Sequence, residues 1–438
     1  MTRFDQAADR ALMTRALWRI MPLVVLCSVI GTIDRTNIGY AKLGMLGDLG
    51  MTEAAFGFGS SLFYLGYVLF EIPSTVASAR YGARIWFSRI MITWSIVTLL
   101  LTVTRSTEMF YILRFLLGAA EAGIYPAQLY FLTLWFPQEE RARAIGILTL
   151  GSAFGNGLSA LLCGSLLGLH GVAGLNGWQW IFLVTGILPL VITVLTIKYL
   201  PNEPKEARFF SDAEKGRVAE LLAAGGATAH HGSGVLAAIL NWKVLGFGAL
   251  YAIILGSLYG VIYWAPTVFN SFHLSGAKNG LIVALPWALD AVLLVLIPTR
   301  IRRHRSVLLA MIVFSIIAVI SFGVGTVDRQ LLPQAAALMV GIPAMSLSLG
   351  LFWTLPVRHF KGTGSAAAIG AISTIGNIGG IAALNMMPAL AHLGGSPAAA
   401  LWYPCVGMMI VLVYALHALL RERRSDHLAS VPARKAAR

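Results

Sequence analysis

The stretch LCSVIGTIDRTNIGYAKLG, residues 26–44, sets Asp34 and Arg35 side by side within a largely apolar segment. The apolar run begins near residue 17, so the segment is long enough to cross a bilayer, which takes about 20 mostly apolar residues. A bare charge at bilayer depth costs at least about 2.5–3.5 kcal/mol, and residues of this kind usually line an aqueous or substrate path. A second pair, Arg114 and Glu121, lies the same way inside the apolar segment 109–134. Two acids and two arginines held at that depth point to a protein that handles protons and anions within a membrane.

The rest of the chain agrees. Of 438 residues, 57% are hydrophobic and 12% are charged, where a soluble domain carries about 25% charged residues. The hydropathy pattern predicts an all-α polytopic membrane protein with twelve spans. They fall at 17–40, 55–77, 84–104, 109–134, 144–168, 178–199, 243–270, 278–299, 306–326, 331–355, 364–390 and 398–420.

Lys and Arg placement tests this topology separately. With both termini cytoplasmic, 27 of the 33 Lys and Arg residues fall at cytoplasmic ends or loops. Only Lys42, Arg105, Lys278 and Arg329 fall outside, and Arg35 and Arg114 lie within spans. That asymmetry is the positive-inside rule, and it places the protein in a cell (inner or plasma) membrane. The net charge of +14 then faces the anionic cytoplasmic leaflet, and no nucleic-acid partner is implied. Cys27, Cys163 and Cys405 are far apart and within spans, which suits apolar filling and no disulfide framework. The polar N-terminus and the charges in the first span argue against a removable signal peptide. His230-His231 read as solvated loop residues, and no metal or cofactor is expected.

The longest polar interruption divides the chain into an N-terminal six-helix bundle, 1–200, a cytoplasmic linker, 201–241, and a C-terminal six-helix bundle, 242–438. The halves echo each other. Phe136-Pro137 leads through Arg141 and Arg143 to Gly155-Asn156-Gly157, and Leu355-Pro356 leads through Arg358 and Lys361 to Gly376-Asn377-Ile378-Gly379. Pro356 follows Pro137 by 219 residues, and Asn377 follows Asn156 by 221. A duplicated, pseudo-symmetric pair of six-helix bundles is common in secondary transporters, whose substrate site lies near mid-membrane between the repeats.

At these residues the chain resembles the major facilitator superfamily, and within it the anion:cation symporter branch. The specific pieces are Ile33-Asp34-Arg35-Thr36-Asn37-Ile38-Gly39, Gly66-Tyr67-Val68-Leu69-Phe70-Glu71-Ile72-Pro73-Ser74, Leu113-Arg114-Phe115-Leu116-Leu117-Gly118 through Glu121-Ala122-Gly123, and Trp135-Phe136-Pro137 with Glu140-Arg141-Ala142-Arg143-Ala144. The resemblance implies proton-coupled uptake of a small organic anion by alternating access, driven by the proton gradient, in a monomer surrounded by lipid. It looks closest to carriers of tartrate, phthalate, hydroxyphenylacetate or similar carboxylates. One loop departs from the superfamily: the turn after span 2 reads Ala77-Ser78-Ala79-Arg80, without the acid that often precedes its basic cluster, so a gating salt bridge is not expected there. The Gly-rich, proline-centred span-5 pattern of many antiporters is also missing from Gly151 to Gly157, which favours symport. Antiport and uniport stay open.

Arg114 and Glu121 are seven apart, two helical turns, and so share one helix face. Arginine is always protonated and presents a planar fork that fits a carboxylate. Its counter-ion in an apolar setting is either an acid of the protein or an anionic cargo. Protonating Glu121 or Asp34 would release an arginine for cargo, which links proton and anion binding; a static ion-pair lock between spans 1 and 4 is the alternative. By resemblance, Asp34 is a proton-coupling residue and Arg35 a substrate or ion-pair residue, while Tyr67 and Trp353 match cavity aromatics. Ser373 and Asn377 sit one turn apart on span 11, and Ser152 and Asn156 repeat that pair on span 5; helix–helix glue is the other reading of all four. Glu71 reads as a structural or gate residue. Asp290, the only acid inside the second-half spans, is a candidate for substrate choice, proton binding or a polar pairing.

Other classes fare worse. None of the eight lysines follows a glycine, which removes a phosphate-cradling ATPase loop. No HExxH, GxSxG or paired Cys/His set supports a membrane-embedded enzyme, and the central loop is too short for a receptor's output domain.

Overall fold

The computed structural model describes residues 3–224, 241–297, 300–301, 304–360 and 365–436. Most of the linker's second half, with His230-His231, and also Arg302, Arg303 and Lys361, lie outside the described residues. Among those described there is no strand. The helices are α1 (Arg3–Thr36), α2 (Ile38–Leu49), α3 (Glu53–Tyr81), α4 (Ala83–Leu101), α5 (Thr107–Glu121), α6 (Ile124–Trp135), α7 (Gln138–Leu167), α8 (Gly177–Tyr199) and α9 (Asp212–Ala224). They continue as α10 (Trp242–Asn270), α11 (Gly276–Leu296), α12 (His304–Val327), α13 (Leu331–Phe352), α14 (Thr354–His359), α15 (Ser365–Leu393) and α16 (Trp402–Ala436).

The helices are amphipathic in reverse. Leu65, Leu69, Ile72 and Val76 form an exposed apolar stripe down α3, whereas Ser60, Glu71, Ser74 and Ser78 on the same helix are buried. Likewise α12 exposes Leu309, Val313, Ile316, Ile320 and Val324 and buries Ser315 and Ser321. Such stripes suit hydrocarbon, where the helix satisfies its own backbone and polar side chains turn inward. Helix starts follow ordinary capping chemistry: Thr52 Oγ1 accepts from Ala55 N–H at 3.1 Å, and Asn176 and Gln179 close a reciprocal box at α8.

Among the described residues, eleven stretches are long and apolar enough to span a bilayer. The span expected at 109–134 is built from two helices, α5 and α6, which meet at Ala122-Gly123, where Gly123 adopts φ 84°. Pro126 explains the break, since it has no N–H to donate to the Ala122 carbonyl and its ring opposes a continuous helix.

The chain forms two compact units, Met1–Ser233 with Leu274–Ala284, and Gly234–His273 with Leu285–Arg438. In the first, α1 packs on α7, α3 on α5 and α4 on α8. In the second, α10 packs on α15, and α12 on α13 and α16. The first and fifth spans of each half therefore pair, as do the third and sixth. The repeat extends to detail, because Gly155 of α7 abuts Thr32 of α1 while Gly376 of α15 abuts Tyr251 of α10.

At the base of the first unit, the start of the linker is tied down by charge. Arg217 binds Asp9 through two parallel hydrogen bonds of 2.9 and 2.8 Å, and Arg15 reaches Glu214 at 2.7 Å. The Ser211 N–H and the Arg15 guanidinium hold the Glu214 carboxyl below its usual range. Arg84, in the turn that lacks its own acid, finds one elsewhere: Glu206 at 2.6 Å, with the Leu200 carbonyl at 2.7 Å.

Candidate functional site

Within the first unit, the four intramembrane charges predicted from sequence come together. Asp34, Arg114 and Glu121 have no exposed surface. Adjacent positions on a helix diverge by about 100°, and Asp34 and Arg35 use that divergence. Asp34 turns toward α4, where Thr98 Oγ1 lies 2.9 and 3.1 Å from its two oxygens and shares its single proton between them. Asn37 Nδ2, one turn on, lies 3.4 Å from Asp34 Oδ1 and donates to Thr185 of α8 at 2.9 Å.

Arg35 turns toward α3 and α5. Its Nη2 donates to Glu121 Oε2 at 3.1 Å, and its guanidinium lies 4.8 Å from the Tyr67 ring centre and 5.4 Å from that of Phe63. Arg114 approaches the same Phe63 ring at 4.9 Å, and its Nη2 lies 3.5 Å from the Ser60 carbonyl. Phe63 is thus shared by two guanidinium groups, each favoured by the negative face of the ring. The carboxyls of Asp34 and Glu121 are close enough to act on each other electrostatically, and both feel Arg114.

Two glycines make this convergence possible. A Cβ on Gly118 would collide with the Phe63 carbonyl, and one on Gly66 with the Phe115 carbonyl. Backbones of α3 and α5 therefore touch, which presses Phe63 and Tyr67 onto the two arginines. Glu121 is the last residue of α5, so its carboxyl projects from a helix end. The final carbonyls of that end carry partial negative charge and favour a nearby cation such as Arg35.

Among the remaining predicted residues, Tyr67 joins this cluster and is buried. Trp353, Ser373, Asn377 and Asp290 belong to the second unit. Trp353 sits between α13 and α14 with its ring 4.7 Å from that of Tyr251. Asn377 Nδ2 reaches back to the Ser373 carbonyl at 3.4 Å, so the pair shares a face of α15. Asp290 is fully buried on α11. Thr98, Thr185 and Phe63 were not singled out in the sequence, and Asn37 stood there only as part of the stretch around Asp34. A lone Thr in an apolar run looks like filler, and only its placement opposite Asp34 gives it meaning.

No group of three or more His, Cys, Asp or Glu that could hold a metal ion occurs among the described residues.

The family described as Major Facilitator Superfamily matches residues 24–384. A protein of Pseudomonas putida called "Putative metabolite transport protein NicT" is 35% identical over 94% of this chain and 96% of its own length. A "Quinolone resistance transporter" of Acinetobacter baumannii is 32% identical over 93% of this chain and 95% of its own. A "Putative tartrate transporter" of Agrobacterium vitis is 32% identical over 92% and 90%. The fold is also similar to that of the E. coli xylose transporter XylE in a partially occluded inward-open state. That likeness has a TM-score of 0.71 at 14% identity and covers 90% of this chain and 98% of that one. The reversed amphipathicity, the paired helices of the two units and these matches agree: the chain belongs to the major facilitator superfamily, and it is a multi-pass membrane transporter of small molecules, not an enzyme.

Proposed function

We propose that this transporter carries a small organic anion together with protons, by alternating access. The observation that carries the reading is the charge count of one buried cluster. Asp34, Glu121, Arg35 and Arg114 sum to zero when both acids are ionised. A carboxylate can only accept hydrogen bonds, so a proton taken up by either acid relieves the repulsion between them and turns that carboxyl into a donor. Each proton taken up leaves one guanidinium charge uncompensated in apolar surroundings. A carboxylate cargo offsets that charge and fits the planar fork of arginine. Proton and anion then favour each other's binding by the same free energy, as linkage demands.

In this scheme Asp34 and Glu121 carry the coupling proton. Arg35 and Arg114 bind the cargo carboxylate, with Tyr67 steadying Arg35. Trp353, Ser373 and Asn377 are the second unit's contribution to cargo contact. In this reading both termini face the cytoplasm of a cell membrane, which the Lys and Arg distribution supports, and the proton gradient supplies the energy. The relatives named for metabolites and tartrate support an organic acid as cargo.

Exchange of cargo against protons is the alternative that the test separates from symport. The two differ in sign. The test screens aromatic and aliphatic mono- and dicarboxylates for thermal stabilisation of the purified protein, then assays uptake of the hits into proteoliposomes. Symport predicts faster uptake when the outside is acid; exchange predicts faster uptake when the inside is acid. Accumulation that stays proton-driven in both Asp34→Asn and Glu121→Gln refutes the coupling assignment. Unchanged affinity in Arg114→Ala removes that arginine from the cargo site.

A further inference from the structure

The second unit holds a buried acid that this coupling scheme does not use. Asp290 lies on α11, four residues beyond Pro286, with no exposed surface. It shares the buried face of that helix with Val283, Pro286 and Trp287, while Leu281, Leu285 and Ala288 are exposed on the opposite face. Neither carboxyl oxygen has a partner in hydrogen-bond geometry among the described residues. The one side chain that acts on it is the Ser346 hydroxyl of α13, and no charged group among the described residues does so.

An ionised carboxyl in such a place has lost its water and gained almost nothing, a penalty of several kcal/mol. A positive charge must therefore accompany it. No arginine, lysine or histidine among the described residues takes that part. A hard metal cation needs about six or more oxygen ligands, and this site offers one carboxyl and one hydroxyl. A proton needs only the carboxyl, with the hydroxyl turning to accept or donate.

We propose that Asp290, assisted by Ser346, is a second proton-binding site, built into the second unit and independent of the Asp34–Glu121 cluster. The proton bonds to one Asp290 oxygen as it enters and leaves as a hydrated proton, so no other reactant is involved. Proton capacity rises from one to two. A carrier that moves a monoanion with one proton transfers no net charge; with the second proton it transfers one positive charge and responds to membrane voltage.

Infrared difference spectra of the full chain in lipid nanodiscs test this without any cargo. Buffer is stepped from acid to alkaline while the carbonyl stretch of protonated carboxyls is followed. Wild type should show a bleaching component that is lost in Asp290→Asn. The same component should persist, with an unchanged midpoint, in the Asp34→Asn/Glu121→Gln double variant. An Asp290→Asn spectrum identical to wild type across the range overturns the proposal. Should Asp290→Asn fail to fold, Asp290→Glu keeps the proton and moves the component's frequency, and an unmoved component is equally fatal. A carboxyl that stays ionised in the cargo-free protein also overturns it, leaving Asp290 as a contact for a cationic cargo group. Failure of the first cluster is separable: a double variant that retains all of the wild-type amplitude sinks the Asp34–Glu121 assignment and leaves Asp290 standing.

Discussion

Replacing Arg35 and Glu121 singly and together separates a structural ion pair from a coupling device. At 3.1 Å and an effective dielectric constant of about 20, their attraction is about 5 kcal/mol. Removing one partner of a buried pair costs about 3–5 kcal/mol, chiefly because the other charge is stranded. Arg35→Gln leaves two facing acids with Arg114 alone, so its melting temperature should fall the most. Glu121→Gln should fall less, because the amide oxygen still accepts from Arg35 and its N–H can donate to Asp34. The double variant strands nothing and should recover more than half of the summed loss, a coupling energy of about 3–5 kcal/mol by that same reasoning. Thermal unfolding of the purified variants measures this cycle. Transport must move the other way. Gln at 121 imitates the protonated acid, so this variant should still bind anion while losing proton-driven accumulation, and the stable double variant should lose both. Additive losses of stability, or a double variant that accumulates cargo against its gradient, would refute the reasoning.

Three further outcomes follow from particular contacts. Gly118→Ala forces α3 and α5 apart, an overpacking cost of about 1–3 kcal/mol; Gly146→Ala, whose added carbon meets nothing within 4 Å, should be neutral or stabilising by about 0.5–1 kcal/mol, as melting curves will show. Tyr67→Phe keeps a ring against Arg35 and should preserve affinity, whereas Tyr67→Leu gives up a cation–π contact of about 0.5–2 kcal/mol, a loss of about 2- to 30-fold in binding by titration calorimetry. Because the folded Glu214 carboxyl lies below its unfolded value, its contribution is complete above the ordinary carboxylate range and is lost as pH falls through the folded value. The protection of α9 amides, relative to the intrinsic exchange rate at each pH, should therefore fall at acid pH and also in high salt, which screens exposed ion pairs.

The parts of this site that were legible in the sequence were those carrying charge. Asp34, Arg35, Arg114 and Glu121 stand out because an apolar segment tolerates a charge only for a reason. The repeat was legible for a related reason: glycines at helix crossings cannot vary freely, and Gly155 and Gly376 mark equivalent contacts. Thr98, Thr185 and Phe63 were silent, since nothing in their local sequence tells a cluster residue from ordinary helix filling. Surface pairs were silent too. Arg217 and Asp9 lie 208 residues apart, and no periodicity links them. The break at Ala122-Gly123 carried a signal, Gly123 followed by Pro126, that the strong hydropathy of 109–134 masked.

That break bears on why Glu121 suits its place. In an unbroken helix, its carboxyl would project from a wall whose backbone groups all bond to one another. At the end of α5, the last carbonyls instead have no intrahelical donor. Their partial charge attracts Arg35 even when Glu121 is protonated, by about 0.3–1 kcal/mol and up to about 2 in partly buried settings. Arg35 is therefore not expelled when its ion pair is neutralised; it stays beside the helix end, where a cargo carboxylate can take the place of the Glu121 charge. A cargo carboxylate meets a guanidinium already positioned by Tyr67, Phe63 and the end of α5, so little ordering remains to oppose binding. Restoring helical continuity with Gly123→Ala and Pro126→Ala together should weaken anion binding even though no charge is removed, and undiminished affinity in that variant would show that the break has no part in recognition.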